Sequence, residues 1–306
     1  MPISLSDFYK NKFGRKVYKL AVDAGCTCPT RDGRLDTRGC IFCSANGSGD
    51  FMPPKNLSVP EQLERAKEFV QKKALGRAGA RSFGQDKKAP PAYIAYFQNF
   101  TNTYGDPDAL RQKYFSALEV PDIVGVDIAT RPDCLGPEIL EVIKELSQKT
   151  FVTVELGLQT VHQKTADYIR RGYQTNIYYE AVAALKKTCP SVHIVTQLIL
   201  GLPGEDDEQM LESVRRVVAA KSDGIKITCL YVLEGTDLEK EWRAGNFECL
   251  SKEKYFGLLK KIAPLLPPEM VVHRLTGDGP KKILLAPDWT KNKRQVLNEL
   301  AALKLF

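Results

Sequence analysis

Residues 25–43 read GCTCPTRDGRLDTRGCIFC and place four cysteines in a glycine-rich, polar segment directly after a strand-like run. Three of them, Cys28, Cys40 and Cys43, suggest an iron–sulfur site, because three thiolates cannot fill the four positions of a cubane cluster. One iron would stay open, as one position does in a catalytic zinc site. An open iron binds a substrate or a cofactor, so the segment indicates a catalytic metal centre.

The same segment also suits a structural zinc knot. Cys26, Cys28, Cys40 and Cys43 form two close pairs, and closely spaced thiolates are ordinary zinc ligands. Cys26 is either a spare ligand or an apolar side chain that packs beneath the loop. The remaining cysteines stand singly in apolar or helical patterns and are predicted to be small buried side chains: Cys134, Cys189, Cys229 and Cys249.

The composition indicates a cytoplasmic protein with one large core. The chain has 306 residues, 43% of them hydrophobic, and a formal net charge of +7. Its first residues, MPISLSDFYKNKFGRK, are too polar for a signal peptide. No apolar run approaches the roughly 18 residues of a membrane span, so no membrane contact is expected. A reducing compartment suits a cluster held by thiolates.

Short, β-branched, nearly continuous apolar runs alternate with helical patterns along the chain. Such runs are typical of parallel strands covered on both faces. Six strands are predicted, at residues 16–23, 92–98, 122–129, 150–158, 193–202 and 223–233. Residues 60–76 carry apolar side chains at helical spacing and predict the first crossover helix. The alternation predicts an α/β fold, either an open parallel sheet or a barrel.

From the cysteine loop onward the sequence resembles the radical S-adenosylmethionine (radical SAM) superfamily. The common spacing there is CxxxCxxC, whereas eleven residues separate Cys28 from Cys40 here. The strings FGRKVYKLAVDAG, GCTCPTRDG and RGCIFC are similar to the YtqA/YhcC-like branch, relatives of the Elongator catalytic subunit. The resemblance runs from about Phe13 to Asp206 and continues into the strings HRLTGDGP and APDW.

This resemblance implies an α/β fold of the radical SAM type, a partial (β/α)6 TIM-like barrel with N- and C-terminal extensions. We expect a core barrel at residues 1–235 with its cluster loop at 24–50, and a C-terminal extension at 236–306 packed on the core. The implied cofactors are a [4Fe–4S] cluster on Cys28, Cys40 and Cys43, and S-adenosylmethionine (SAM). Function is expected at the carboxyl ends of the strands.

Gln159, Arg171 and Gln197 are the first expected SAM contacts. Gln159 and Arg171 match the spacing of the glutamine and arginine that hold the amino-acid and ribose parts of SAM in the oxygen-independent coproporphyrinogen oxidase group. The alternative for Arg171 is a solvated neighbour of Gly172 at a helix end. Gln197 falls where that group carries a ribose-binding acid, and an amide there keeps an acceptor but loses the charge.

Two glycines and one aromatic residue extend the expected SAM site. The string GLPG places Gly201 and Gly204 where adenine would lie against the backbone, unless the string is only a tight turn. Phe42, inside CIFC, is expected beside the cluster, where it shields the cluster, touches adenine or only packs the loop.

Polar residues after the second and third strands complete the set. The string FQNFTNTYG presents Gln98 and Asn99 where a GGE-type segment usually binds the amino group of SAM. Thr130 or Arg131, in ATRPD, either faces the pocket or belongs to an ordinary polar loop.

The excess positive charge suggests an acidic partner. Basic residues that track phosphates, with an aromatic such as Trp289 stacking on a base, are typical of nucleic-acid contact, and solvated helix faces are the alternative. The residues concerned are Lys72, Lys73, Arg77, Arg81, Lys87, Lys88, Lys281, Lys282, Lys291, Lys293 and Arg294. Together with the Elongator resemblance they predict tRNA as partner.

The implied function is reductive cleavage of SAM to methionine and a 5′-deoxyadenosyl radical that abstracts hydrogen from a tRNA wobble uridine side chain. A low-potential electron donor such as flavodoxin or ferredoxin is the implied second partner. Two alternatives stay open at this point. One is a structural zinc-bearing RNA-binding module without catalysis, and the other is a radical SAM enzyme that acts on a small molecule or a protein.

Overall fold

The computed structural model describes residues 1–47, 57–78, 90–277 and 279–305, with the backbone alone for 72–78. The strands of the described residues are β1 Ile3–Ser4, β2 Val17–Val22, β3 Ala92–Phe97, β4 Ile123–Thr130, β5 Phe151–Gln159, β6 His193–Leu200, β7 Gly224–Cys229, β8 Val232–Leu233, β9 Val271–Arg274 and β10 Leu284–Ala286. The α-helices there are α1 Leu5–Phe13, α2 Val59–Ala78, α3 Pro107–Ser116, α4 Pro137–Ser147, α5 Gln163–Tyr168, α6 Thr175–Thr188, α7 Asp207–Ala219, α8 Asp237–Arg243, α9 Lys252–Ile262 and α10 Lys293–Ala302.

Eight parallel strands form one sheet in the order β1-β9-β7-β6-β5-β4-β3-β2. The sheet is strongly curled, as shown by side chains of non-adjacent strands that meet inside it. Lys19 on β2 reaches Glu155 on β5 at 2.9 Å, and Lys226 on β7 reaches the hydroxyl of Tyr96 on β3 at 2.8 Å. The architecture is therefore the predicted TIM-like partial barrel.

The six predicted strands are confirmed as β2 to β7, with small differences at their ends. β6 stops at Leu200 because Gly201 turns the chain with a φ of +85°. The run predicted at 223–233 divides into β7 and β8, and β8 pairs with β10 in a separate antiparallel ribbon. β1 and β9 were not predicted, since two and four residues are too few for a periodic signal.

Helices cover the outer face of the sheet through apolar stripes. In α4 the buried side chains include Ile139, Ile143 and Leu146, which recur at helical spacing. Val296 and Leu300 of α10 belong to the same apolar cluster as the strands. β9, which also belongs to the C-terminal segment, is itself a strand of the barrel sheet. Within the described residues, no helix has the length and apolar character needed to cross a membrane.

Candidate metal and cofactor site

A cavity of about 330 Å3 opens at the carboxyl ends of the barrel strands. Parallel strands direct their C-terminal residues to one edge, so the loops that follow them converge there. Nine of the twelve predicted site residues line this cavity: Cys28, Cys40, Phe42, Cys43, Gln98, Thr130, Gln159, Arg171 and Gln197. The structure thus brings together residues that span much of the sequence.

Arg31 fixes the shape of the cysteine loop. Its Nη2 donates to the carbonyls of Cys43 at 3.1 Å and Ser44 at 2.7 Å, which ties the start of the loop to its end. Gly39 has a φ of +73°, and a Cβ there would lie 2.8 Å from Nε of Arg31. The close approach of the guanidinium and the left-handed backbone both require glycine at this position.

The three cavity cysteines lie close enough for their sulfurs to influence one another. Burial raises the pKa of the Cys40 thiol to about 12, and the neighbouring Cys43 and Cys28 add to the shift. Cys40 Sγ lies 3.6 Å from the carbonyl of Arg170, and Cys28 Sγ lies 3.1 Å from Thr30 Oγ1.

The arrangement of the cysteines fits a cubane cluster better than a zinc knot. Cys26 is half-buried and packs against the apolar core, whereas the other three cysteines of the loop line the cavity. In the described residues, no group of His, Cys, Asp or Glu side chains converges on the position of one metal ion. A zinc knot needs four ligands around one ion, whereas the thiolates on a cubane cluster each bind a different iron.

Gln159 ends β5 with an unusual backbone. Its φ is +65°, in the left-handed region that few residues other than glycine adopt. When its side-chain nitrogen is the donor, it bonds to the carbonyls of Leu158 at 3.0 Å and Gly157 at 2.8 Å. Thr130 also has a partner, since its Oγ1 lies 2.5 Å from Oγ1 of Thr103. The strand ends are thus held in fixed conformations around the cavity.

Arg171 lies on the wall of the cavity, but its side chain is 1% exposed and fully hydrogen-bonded. Its Nη1 donates to the carbonyls of Leu158 at 3.0 Å and Thr160 at 2.7 Å. Its Nη2 donates to the carbonyl of Tyr173 at 3.0 Å and to Thr175 Oγ1 at 2.8 Å, and Nε also points at Tyr173. The structure therefore gives Arg171 the role of holding the turn after β5, and direct contact with SAM stays a prediction.

Three predicted SAM residues do not line the cavity. Asn99 is buried, and its Nδ2 donates to Asp23 Oδ2 at 2.9 Å, so it supports the loop from behind. Gly201 and Gly204 both have a φ of +85° and form the turn after β6. Arg131, the alternative to Thr130, lines the cavity and pairs with Asp133 at 2.8 Å.

A network of charged side chains inside the barrel was not predicted. Lys19 forms ion pairs with Asp127 and Glu155, and Lys226 pairs with Glu155 at 2.7 Å. The hydroxyl of Tyr96 donates to the same Glu155 oxygen at 2.7 Å. Burial opposes the ionisation of Glu155, but Lys19 and Lys226 outweigh it and hold the pKa of Glu155 well below its usual range. The signal was present in the sequence, as one charged residue within each of the apolar strands β2, β4, β5 and β7.

The α/β partial barrel has three thiols and a polar cavity at its carboxyl edge, which is where TIM-like enzymes place their active sites. The family profile described as "Radical SAM superfamily" matches residues 37–217, and the profile described as "Radical_SAM C-terminal domain" matches residues 222–303. The first match includes Cys40 and Cys43 and begins after Cys28. The chain belongs to the radical SAM superfamily, whose cofactors are a [4Fe–4S] cluster and SAM.

Individual relatives agree with this assignment. The uncharacterised protein YtqA of Bacillus subtilis is 40% identical over 297 residues, which are 97% of this chain and 87% of that protein. A tRNA uridine(34) acetyltransferase of Methanocaldococcus jannaschii is 26% identical over 53% of this chain and 30% of its own length. The structure of Elp3 from Methanocaldococcus infernus has a TM-score of 0.67 at 17% identity, and the match covers 95% of this chain and 64% of that one. The likeness to the Elp3 structure concerns the fold alone.

Proposed function

We propose that this chain is a radical SAM enzyme that modifies the side chain of the wobble uridine of tRNA. Cys28, Cys40 and Cys43 would hold the [4Fe–4S] cluster. The observation that carries the catalytic part is the meeting of these three cysteines with polar strand-end residues around one cavity. The tRNA part is supported by the relative named as a tRNA uridine(34) acetyltransferase and by those named Elongator complex protein 3.

The residues of the cavity suit the tasks of holding SAM and excluding water. When bound, the cofactors supply the one-electron chemistry that generates a radical, and the protein supplies orientation. Gln98, Gln159 and Gln197 offer amide groups that can donate to and accept from SAM without adding charge. Phe42 lies on the wall beside Cys43 and provides an apolar surface. Arg171 positions Gln159 through the carbonyl of Leu158.

The basic residues near the C-terminus support a surface for RNA. Lys281, Lys282 and Arg294 are exposed, and Lys291 pairs with the exposed Asp288 at 2.6 Å. Lys281 and Lys291 also line a surface depression together with Trp289. Exposed cations of this kind suit phosphate groups.

The structure disfavours one other predicted RNA contact, that of Trp289, and does not describe the side chains of the predicted basic residues between 72 and 88. Trp289 is half-buried, since its ring packs against Tyr255 at 5.5 Å and its Nε1 donates to the carbonyl of Leu250 at 2.9 Å. The ring is therefore occupied by protein contacts, which disfavours stacking on a base. The side chains of Lys72, Lys73, Arg77, Arg81, Lys87 and Lys88 lie outside the described residues.

Two measurements test the proposal. Dithionite-reduced protein is expected to cleave SAM slowly to 5′-deoxyadenosine without substrate, which tests the catalytic part alone. A comparison of modified nucleosides in tRNA from cells with and without the gene tests the substrate. Unchanged wobble nucleosides, with SAM cleavage intact, would leave a radical SAM enzyme that acts on another molecule. In cells, a low-potential donor of the flavodoxin or ferredoxin type would replace dithionite.

The RNA surface has its own test. Changing Lys291, Lys293 and Arg294 together to Glu should weaken tRNA binding, because phosphate contacts release counterions. Binding of the unchanged protein should also weaken steeply as salt rises. Uncoupled SAM cleavage by the variant checks that its barrel is intact. Binding that does not respond to salt or to the three changes would mean that these residues are only a solvated surface.

A further inference from the structure

Two cations stand next to each other inside the barrel cavity. Lys226 on β7 and Arg274 on β9 are partners in the register of the sheet, and both line the cavity. Lys226 is buried and Arg274 is half-buried. Arg274 belongs to the string HRLTGDGP, for which the proposed function so far has no role. We call Lys226 and Arg274 the cationic pair.

The carboxylates inside the barrel are already engaged with other cations. Glu155 binds Lys19 through one oxygen at 2.9 Å and Lys226 through the other at 2.7 Å. Asp127 binds Lys19. The side chain of Arg274 forms no ion pair or hydrogen bond with any side chain that the structure describes, a set that leaves out residues 48–56, 72–89, 278 and 306.

In the cluster around Glu155, the carboxylates of Glu155 and Asp127 are paired with Lys19 and Lys226, and Arg274 stands beside Lys226. A half-buried cation without a counterion has lost part of its hydration, and a bound anion compensates that loss. Arginine is suited to this task because its planar fork matches two oxygens of a carboxylate or a phosphate. The positive charge of Arg274 therefore lies where a bound anionic group would neutralise it.

SAM is a poor candidate for this anion. It has one carboxylate against a sulfonium and an ammonium group, so binding it here would bring two more positive charges toward the cationic pair. Lys226 also lies within its strand, the third residue of Gly224–Cys229, whereas the cysteines belong to the loop that follows Val22. Charge and position thus favour a second molecule over SAM as the ligand of the cationic pair.

We propose that Arg274, assisted by Lys226, binds an anionic oxygen group of the substrate, either a carboxylate or a phosphate. The inference rests on the proposed function in one respect, that the substrate enters this cavity. For a nucleotide of tRNA the group is either its own phosphate or a carboxylate on the modified base. A neutral analogue leaves the arginine without a partner, so the cationic pair discriminates against it.

Equilibrium binding to the iron-loaded protein with saturating SAM tests this proposal. The probes are uridine, uridine 5′-monophosphate and 5-carboxyuridine. One of the two acids should bind at least about tenfold more tightly than uridine, as a charge-assisted hydrogen bond provides. The preferred acid identifies the group as phosphate or carboxylate. Arg274→Gln should abolish the preference, and Arg274→Lys should restore part of it.

Arg216→Gln is the matched control, because this arginine is 60% exposed on α7, and it should keep the preference of the unchanged protein. Unfolding midpoints in urea establish that each variant is folded. Equal affinity of the unchanged protein for all three probes overturns the proposal, as does an acid preference that survives in Arg274→Gln. An acid preference combined with unchanged tRNA nucleosides in the deletion strain keeps the anion site and removes the tRNA substrate.

Discussion

At the scale of single residues, Cys26 and Cys28 show how two neighbouring thiols acquire different environments. Cys28 lines the cavity, whereas Cys26 packs against the apolar core. Burial raises the pKa of both Cys26 and Cys40, so the pKa does not separate a ligand from a packed thiol. Their positions do, because Cys40 lines the cavity beside Cys28 and Cys43, whereas Cys26 packs against the core. The difference provides a control within the same loop.

The first prediction follows from this contrast. Protein made without oxygen should hold about four iron atoms per chain, as a [4Fe–4S] cluster requires. Changing Cys28, Cys40 or Cys43 to Ala should remove the iron, and Cys26→Ala should retain it. Iron and acid-labile sulfide are measured on each purified variant. Stoichiometric zinc without sulfide would favour the structural zinc alternative.

The second prediction concerns Arg171. Arg171→Ala leaves the carbonyls of Thr160 and Tyr173 without their side-chain donor and removes one of several donors to Leu158, and each unsatisfied carbonyl costs about 1 to 3 kcal/mol. We expect the free energy of unfolding to fall by about 3 kcal/mol or more, and SAM affinity to fall with it because Gln159 moves. Urea denaturation and SAM binding are measured on the same samples.

Arg216→Ala is the comparison for that experiment, since it removes an exposed arginine and should change neither quantity. Loss of SAM affinity in Arg171→Ala at unchanged stability would instead show that Arg171 touches SAM directly.

The interior charges show where prediction from sequence stops. Lys19, Asp127, Glu155 and Lys226 each interrupt an apolar strand, which is a visible signal of buried, paired charge. The pairing itself depends on the curl of the sheet, because Lys19 on β2 meets Glu155 three strands away on β5. The strand-end glutamines were easier to predict, since the carboxyl ends of parallel strands meet whatever the curl.

At the scale of elements, the turn GLPG after β6 contains two glycines with the same backbone angle and different surroundings. Both have a φ of +85°. A Cβ on Gly201 would lie 2.8 Å from Cγ of Leu250, whereas a Cβ on Gly204 would meet nothing within 4 Å. The turn therefore has a packing function at Gly201, where Leu250 fills the space that a side chain would take.

The third prediction compares these glycines. Gly204→Ala should lower the free energy of unfolding by about 1 to 2 kcal/mol, the cost of a left-handed alanine. Gly201→Ala should cost about 1 to 3 kcal/mol more, because it also overpacks Leu250. Adding Leu250→Ala to Gly201→Ala should remove the part of the destabilisation that comes from the contact between the new Cβ and Leu250. A double-mutant cycle, measured by urea denaturation, gives that part. Equal losses at both glycines would show that Leu250 moves aside freely.

At the scale of the whole molecule, the base of the barrel contains two histidines that affect stability against acid. Nε2 of His193 lies 3.0 Å from Nε2 of His273, and Phe8 of α1 stacks on His193 at 4.8 Å. Burial lowers the pKa of His193 to about 4 and that of His273 well below its usual range. Both side chains are therefore neutral in the folded protein near neutral pH.

The fourth prediction follows from the sign of this shift. In the unfolded chain a histidine has a pKa near 6.5, so below that pH the unfolded state binds the proton and stability falls as pH drops toward 4. Protonation of His193 in the unfolded chain should lower the free energy of unfolding by about 2 kcal/mol when the pH falls from 7.5 to 5.0. Burial also raises the pKa of Asp127 to about 7, which acts in the opposite direction. The difference in free energy of unfolding between the unchanged protein and His193→Phe isolates the contribution of His193, because Asp127 is present in both.

Urea denaturation at the two pH values gives that difference. The stability advantage of the unchanged protein over His193→Phe should shrink by about 2 kcal/mol on acidification. A constant difference would mean that His193 is protonated equally in both states.

The pairing of β1 with β9 has a consequence for the synthesis of the chain. Ile3 pairs with Val271 and Ser4 with Val272, while Val271 also pairs with Gly224 of β7. On the ribosome, the segment that contains Ile3 emerges long before its partner exists, and the open edge of β7 waits for the same partner. An unpaired edge strand invites wrong pairings with other chains. Protection of the nascent chain by a chaperone therefore matters most in the interval before residue 271 emerges.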